Sequence, residues 1–282
     1  MTPLRQKMID AMRLRHFSAS TQQSYVEAVA GLARFYKQSP DRLDREKIQT
    51  YLLHLITERQ LSWSTCNVVI SALRFFYTYV IKMGPMALDL PPRKKVTQLP
   101  EILSSQELER LFTVAARPHQ RVLLMTTYAA GLRVSEVVSL KLTDIDSQRM
   151  MIRVRQSKGN KDRYTVLSPR LLTELRLYWR MYRPHDWLFP GRDGKTHLST
   201  KTAQYIYYQA KKRAGIKKGR GIHTLRHCFA THLLEAGVDL PTLQMLMGHK
   251  SVTNTMVYLQ LTTKKLSSVE SPLDLLQIPT RL

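Results

Sequence analysis

The chain has 282 residues, of which 43% are hydrophobic, a length and composition that allow one or two domains with buried cores. No run of 18 apolar residues indicates a membrane span, and the charged start MTPLRQKMIDAMRLRHF differs from a signal peptide. The 44 basic and 21 acidic residues give a net charge of +23, and both the first hundred residues and the remainder are basic. This charge predicts a polyanionic partner held from two sides, although a solvated basic surface would have the same composition.

The chain contains two cysteines, Cys66 and Cys228, which lie far apart in the sequence. They fit neither a disulfide framework nor the spacing of a zinc site. We therefore expect a reducing compartment, with the cytoplasm as the location.

Residues 1–83 are predicted to form an all-helical domain. A short helix near Leu4–Met12 is followed by three stretches with apolar side chains at helical spacing, the first of them capped by Ser20 or Thr21. Such stripes more often form a core than a stacking platform. The apolar positions are Tyr25, Val26, Val29, Leu32, Phe35 and Tyr36, then Ile48, Tyr51, Leu52, Leu55 and Ile56, then Val69, Ala72, Leu73, Phe76, Tyr79 and Val80.

Residues 84–100 are predicted to be a linker, since prolines interrupt the helical periodicity and keep the segment extended. The segment also holds a basic run, Arg93, Lys94 and Lys95. These cations suit a phosphate backbone, and an inert tether remains the alternative.

Residues 101–266 are predicted to form a second domain, which opens on a capping box of Ser104 and Glu107. A helix from about His119 ends at Gly131, and a short helix restarts at about Ser135, so that Arg133 lies in a tight junction. Alternating patterns at 150–155 and 164–167 predict two antiparallel strands, with Lys158 at the tip of their hairpin.

Four more helices are predicted in this domain, at 169–181, from 199, at 223–235 and at 241–247, and Ser251 is expected to cap a last helix with Tyr258 near its end. The helix from 199 carries Lys201, Lys211 and Lys212, which either face phosphates or complement the helix dipole. The predicted fold class is therefore mainly α with a small antiparallel β-sheet.

A set of side chains suited to phosphoryl transfer lies in the second domain. His223 and Arg226 are three residues apart on one helix and share a face. Arginine holds two phosphate oxygens at once, so Arg133 and Arg226 together could clamp a phosphate and stabilise its transition state. For either arginine alone, a structural ion pair would be the simpler interpretation.

Tyr258 is the predicted nucleophile, because a phenol that attacks phosphorus conserves the energy of the broken ester in a phosphotyrosyl bond. Its ordinary pKa near 10 requires help, which His223 or His249 would give; the sequence leaves open which one. Lys158 suits a general acid for the leaving oxygen, with neighbouring Lys161 as its rival. Glu136 is expected to hold Arg133 or a histidine in place.

A metal site is the alternative for the histidines of this stretch. His223, His227 and His232 have a spacing that could ligate zinc, but no H-E-x-x-H motif is present. We therefore predict no metal and no cofactor, and we expect His227 and His232 to make structural contacts between helices.

The order G-L-R-x-S-E, then H-x-x-R, then G-H and a tyrosine resembles the tyrosine recombinases, the phage-integrase family. The resemblance covers nearly the whole chain, and Met247 and Ser157 are mild departures that remove no functional group. An integron-type insertion between Lys158 and His223 is not found, which favours a Xer-like or mobile-element enzyme.

The resemblance implies a helical N-terminal core-binding domain, an α+β catalytic domain and site-specific recombination through a 3′-phosphotyrosyl intermediate. It implies a homo-tetramer on double-stranded DNA with inverted-repeat core sites, and a C-terminal tail, 267–282, that contacts a neighbouring subunit. Two alternatives stay open: a type IB topoisomerase, which uses much the same residues, and a DNA-binding accessory protein without catalysis.

Overall fold

The computed structural model describes residues 2–83, 99–157, 161–249 and 251–261. The chain divides into two compact units, Met1–Val96 and Thr97–Leu282. The predicted fold class is confirmed: the protein is mostly helical, and its described residues form one small antiparallel sheet.

The first unit is built from four helices in its described part. They are α1 (Pro3–Arg13), α2 (Ala19–Tyr36), α3 (Arg45–Thr57) and α4 (Trp63–Phe75), which continues into a π-helical turn at Phe76–Ile81. Each begins after a side chain that accepts a backbone N–H, which satisfies one of the open donors of a first turn. Ser18 caps α2, so the predicted caps Ser20 and Thr21 are wrong; both lie inside the first turn.

Among the described residues, only Trp63–Ile81 is long and apolar enough to span a membrane by length and composition. This segment forms α4 and the π-helical turn, and its Leu73 and Tyr77 are fully buried in the core of the first unit. Part of its apolar surface therefore packs against the other helices of the unit.

The second unit begins with α5 (Ser105–Thr113), α6 (Pro118–Ala129) and the short α7 (Val134–Val138). The capping box of Ser104 and Glu107 is present at the start of α5. A three-stranded antiparallel sheet follows, formed by β1 (Ile145–Asp146), β2 (Met151–Ser157) and β3 (Lys161–Val166) in the order β1-β2-β3. The sequence pattern missed β1, which has only two residues.

The rest of the described second unit is helical, with α8 (Pro169–Tyr182), α9 (Thr200–Arg213), α10 (His223–Glu235), α11 (Leu240–Met247) and α12 (Thr253–Met256). The prediction of one helix that carries Tyr258 near its end is wrong. The short α12 ends two residues before Tyr258, a 3₁₀ turn at Leu259–Leu261 follows, and the N-cap of α12 is Val252 and not Ser251.

Gly131 controls how closely the end of α6 approaches α10. Its φ is +59°, a left-handed conformation that glycine adopts without strain. The ring of Phe229 on α10 lies over it, so that a Cβ at this position would come within 2.3 Å of Phe229 Cδ1. The close approach brings the Gly131 carbonyl to the side chain of Arg226, also on α10.

We predict that Gly131→Ala destabilises the protein much more than Gly194→Ala. Both glycines have positive φ, +59° and +68°, so each substitution costs about 1 kcal/mol in backbone strain. Only at Gly131 does the new methyl group meet another side chain, which adds roughly 1–3 kcal/mol, while nothing lies within 4 Å of the position at Gly194. Differential scanning calorimetry of the two variants measures this, and equal losses of Tm would contradict it.

Candidate active site

The carboxylate of Glu136 lies at the centre of a cluster of arginines. Its side chain is 7% exposed, and it accepts hydrogen bonds from the backbone N–H and the Nη1 of Arg133 at 2.9 and 2.6 Å. Arg163 adds a two-pronged ion pair to both carboxylate oxygens, each at 2.9 Å. These hydrogen bonds and charges outweigh burial and lower the pKa of Glu136 to about 2, so the group is ionised at neutral pH.

Arg226 is buried to 1% exposure beside this carboxylate, with Nη1 3.7 Å from Glu136 Oε2. Its guanidinium also donates to the carbonyl oxygens of Gly131 and Met247. Burial, with the nearby cation of Arg133, lowers the pKa of Arg226 to about 9, which still leaves it positively charged at neutral pH. The structure thus brings the two predicted clamp residues, Arg133 and Arg226, to one carboxylate.

Sequence reasoning missed Arg163, whose side chain is only 8% exposed on β3. It links β3 to α11 and α7, because its Nε donates to the Leu246 carbonyl at 3.0 Å while its Nη atoms bind Glu136. The strand alternation held the signal: Arg163 shares the inward face with the buried Thr165, between exposed neighbours.

Tyr258 is 4% exposed and packs in a small cluster with Phe229, Leu243 and Met247. Burial raises the pKa of its hydroxyl, while the positive charges of Arg226 and Arg133 oppose that rise. The predicted nucleophile therefore lies in the electrostatic field of the arginine pair, which favours its ionised form.

The two histidines predicted to assist Tyr258 both lie in this site. The ring of His249 is parallel to that of Tyr258, with centroids 6.4 Å apart, and its Nδ1 is 2.9 Å from Thr255 Oγ1. Burial and neighbouring arginines lower the pKa of His249 to about 4. With this pKa, the His249 ring is neutral at pH 7. Partial desolvation and the charges of Arg226 and Arg133 also lower the pKa of His223.

His227, which is expected from the sequence to be a structural contact, lies against Tyr258, and this contact is not predicted by the sequence. Its Nδ1 lies 2.9 Å from the hydroxyl of Tyr258, and its ring meets that of His223 edge to face at 4.8 Å. Its position one helical turn after His223 was visible in the sequence, but that spacing was assigned to a zinc alternative. His232 fits its prediction, with Nδ1 2.9 Å from the hydroxyl of Tyr128.

Several predicted residues lie outside the described residues, namely Lys158, Arg93, Lys94 and Lys95. Of the lysines predicted to contact DNA on α9, Lys201 and Lys212 are exposed. Lys211 is half-buried and donates from Nζ to the Gly219 carbonyl at 2.7 Å, so this lysine has a partner within the protein.

The zinc alternative has no geometric support in the part of the chain that the structure describes. No group of three or more His, Cys, Asp or Glu side chains there is arranged to hold a metal ion. His227 and His232 each hydrogen-bond a different tyrosine, Tyr258 and Tyr128.

Two family profiles match the chain. The one described as "Phage integrase family" covers residues 101–265, and "Phage integrase, N-terminal SAM-like domain" covers residues 4–83. Together they account for most of both compact units.

Relatives give the same result. An integrase/recombinase of Sinorhizobium fredii, y4qK, is 44% identical over 99% of this chain and 91% of its own length. Tyrosine recombinase XerA of Pyrococcus horikoshii is 32% identical over 83% of this chain and 82% of its own length.

Solved structures share the fold. A crystal structure of XerA recombinase matches with a TM-score of 0.55 and 28% identity, covering 94% of this chain and 95% of that one. A lambda integrase dimer bound to a COC′ core site has a TM-score of 0.70 at 19% identity, covering 89% and 92%. With an arginine-bound carboxylate beside a buried tyrosine, these matches show that the chain belongs to the phage integrase family of tyrosine recombinases, enzymes that cleave and rejoin DNA in site-specific recombination.

Proposed function

We propose that Tyr258 is the nucleophile of this recombinase and that Arg133 and Arg226 bind the scissile phosphate. The observation that carries this assignment is the position of the buried Tyr258 hydroxyl in the field of both arginines, which one ionised carboxylate, Glu136, holds together.

In the proposed reaction, Tyr258 Oη forms a bond to phosphorus and the bond from phosphorus to the 5′ oxygen breaks. The two arginines stabilise the extra negative charge of the transition state, an effect worth about 3 kcal/mol for a single such donor. Lys158 gives a proton to the leaving 5′ oxygen. The resulting 3′-phosphotyrosyl bond keeps the energy of the ester, so that the 5′ hydroxyl of a partner strand can attack it and rejoin the DNA.

Glu136 is the positioning residue of this clamp. Three cations next to one another in a buried site would repel, and the carboxylate between them supplies the compensating charge. The carboxylate of Glu136 also has a fixed orientation, because its two-pronged ion pair with Arg163 restrains the carboxylate plane. Contacts within the protein therefore hold the arginines of the proposed clamp in place.

The proposed substrate is double-stranded DNA with an inverted-repeat core site, bound by a homo-tetramer in the cytoplasm. The net charge of +23 supports a polyanionic partner, and solved relatives include a XerH recombinase bound to a palindromic difH substrate. The first unit would be the core-binding domain. The relatives are integrases and recombinases, so they give no support to a topoisomerase or an accessory protein.

We predict that Tyr258→Phe abolishes covalent complex formation but leaves DNA affinity unchanged within about threefold, because only the nucleophilic oxygen is lost. A nicked suicide substrate incubated in EDTA, followed by denaturing electrophoresis, measures the adduct. Tyr128→Phe is the matched control: it also removes a hydroxyl that bonds a histidine of α10 and should keep the adduct. An adduct formed by Tyr258→Phe would contradict the assignment.

We predict that Glu136→Gln costs about 3 kcal/mol at pH 7, because it leaves buried arginines without their counter-charge. The pKa of Glu136 falls from 4.5 to about 2 on folding, so its charge stabilises the protein above pH 4.5 and that stabilisation is lost as the pH falls toward 2. The difference from wild type in urea unfolding should therefore shrink below pH 4.5.

Glu174→Gln is the control for this stability measurement, since Glu174 pairs with one arginine, Arg121, at 2.8 Å. Its loss at pH 7 should be smaller, about 1 kcal/mol. A difference between Glu136→Gln and wild type that stays constant from pH 7 to pH 3 would show that the carboxylate is not the counter-charge of the cluster.

We predict that deletion of residues 267–282, which lie outside the described residues, weakens synapsis more than binding to a single site. The segment contains the apolar residues Leu273, Leu275, Leu276 and Ile278, which suit docking on a neighbouring subunit. Gel-shift titrations with one-site and two-site DNA measure both steps, and an equal loss in both would contradict the docking role.

A further inference from the structure

The hydroxyl of Tyr258 has a partner to which neither the motif order nor the proposed clamp assigns a role. His227 Nδ1 lies 2.9 Å from Tyr258 Oη, and the two ring centroids are 5.7 Å apart at an angle of 46°. The ring of Tyr258 therefore packs beside that of His227, with the hydroxyl oxygen at hydrogen-bond distance from Nδ1. A neutral imidazole with its proton on Nε2 accepts the phenol O–H in this arrangement.

His227 also lies where DNA could reach it. Its ring and that of His223 line an open pocket together with Gln204, Arg220 and Thr224. Arg220 at the edge of this pocket is exposed, which suits a cation that meets a phosphate backbone. His227, whose Nδ1 contacts Tyr258, therefore borders a solvent-accessible pocket that Glu101 also lines.

We propose that His227 is the general base that takes the proton of Tyr258 during strand cleavage. As Tyr258 Oη bonds to phosphorus, its proton moves to His227 Nδ1, and the departing 5′ oxygen receives a proton from a separate acid. On rejoining, the imidazolium of His227 returns the proton to the leaving phenolate. This inference rests on the proposed role of Tyr258 and adds the fate of its proton.

The other two histidines have different contacts. His249 Nδ1 is engaged by Thr255 Oγ1, and its ring lies parallel to that of Tyr258 with an interplanar angle of 10°. The ring of His223 meets that of His227 edge to face, with centroids 4.8 Å apart. His223 and His249 are therefore available to donate hydrogen bonds to phosphate oxygens.

The charges around His227 keep it in the form that can accept a proton. Burial, followed by His223, Arg226 and His249, lowers the pKa of His227 to about 4, so it is neutral at pH 7. A bound phosphate adds negative charge, which raises the pKa of His227, while Arg226 and Arg133 favour the phenolate of Tyr258. Both effects reduce the pKa difference that opposes proton transfer.

The test compares His227→Asn with wild type in single-turnover cleavage of a nicked suicide substrate. Asparagine keeps a hydrogen-bond acceptor near the position of Nδ1 but cannot take up the proton. We expect cleavage at pH 7 to slow by about 100-fold, the usual scale of general base catalysis, with DNA affinity unchanged. His232→Asn is the matched control, because it alters the equivalent 2.9 Å contact with Tyr128 away from the site, and it should cleave at the wild-type rate.

Two readouts define the role of His227: the first separates a base from an acid, and the second separates a base from a structural residue. A substrate with a bridging 5′ sulfur needs no acid for its leaving group, so His227→Asn should remain slow on it. The defect should also shrink as the pH rises, because hydroxide replaces the base. Wild-type cleavage by His227→Asn, recovery on the sulfur substrate, or a loss equal at every pH would each overturn the proposal.

The same experiment distinguishes the proposed role of His227 from that of Tyr258. If wild type forms an adduct through Tyr258 and His227→Asn forms it equally fast, the role of His227 fails while that of Tyr258 stands. If wild type forms no adduct on DNA that it binds, both fail.

Discussion

The ionised carboxylate of Glu136 accepts hydrogen bonds from Arg133 and Arg163 and lies 3.7 Å from Arg226. Without this negative charge, three guanidiniums would have to share a buried site, where desolvation and mutual repulsion cost several kcal/mol. Because the partners come from the start of α7, from β3 and from α10, one side chain fixes the relative positions of three elements. Binding a phosphate in the field of these arginines is the chemical use that we propose for that constraint.

Backbone carbonyls complete the support of the arginines. Arg226 donates to the carbonyl of Gly131, which follows α6, and to the carbonyl of Met247, the last residue of α11. Arg163 donates to the carbonyl of Leu246, also on α11. Carbonyl groups at helix C-termini carry partial negative charge, so they stabilise cations there. The left-handed turns at Gly131 and Gly248 end these helices where those carbonyls are needed. The positions at which α6 and α11 end therefore determine where the arginines of the site are held.

The sequence predicted the helices of both units and the two long strands, because periodicity and helix breaks are local signals. Four of the residues that it singled out for the site, Arg133, Glu136, Arg226 and Tyr258, lie near one another in the structure. The sequence could not identify Arg163 and His227 as site residues, since their partners, Glu136 and Tyr258, are distant in sequence and meet them only through packing. The continuous helix expected at Tyr258 failed for a similar reason. Tyr258 is buried against α10 and α11, and local propensity does not report this packing.

The most direct test of the account is to locate the DNA on the protein after cleavage. Trypsin digestion of the covalent complex, followed by mass spectrometry, should place the nucleotide on the peptide 251–264, whose only tyrosine is Tyr258. Attachment at Tyr258 would show that this tyrosine, which lies beside the arginine cluster around Glu136, is the nucleophile. Attachment to any other peptide would contradict the assignment of Tyr258, and with it the role that we give to His227.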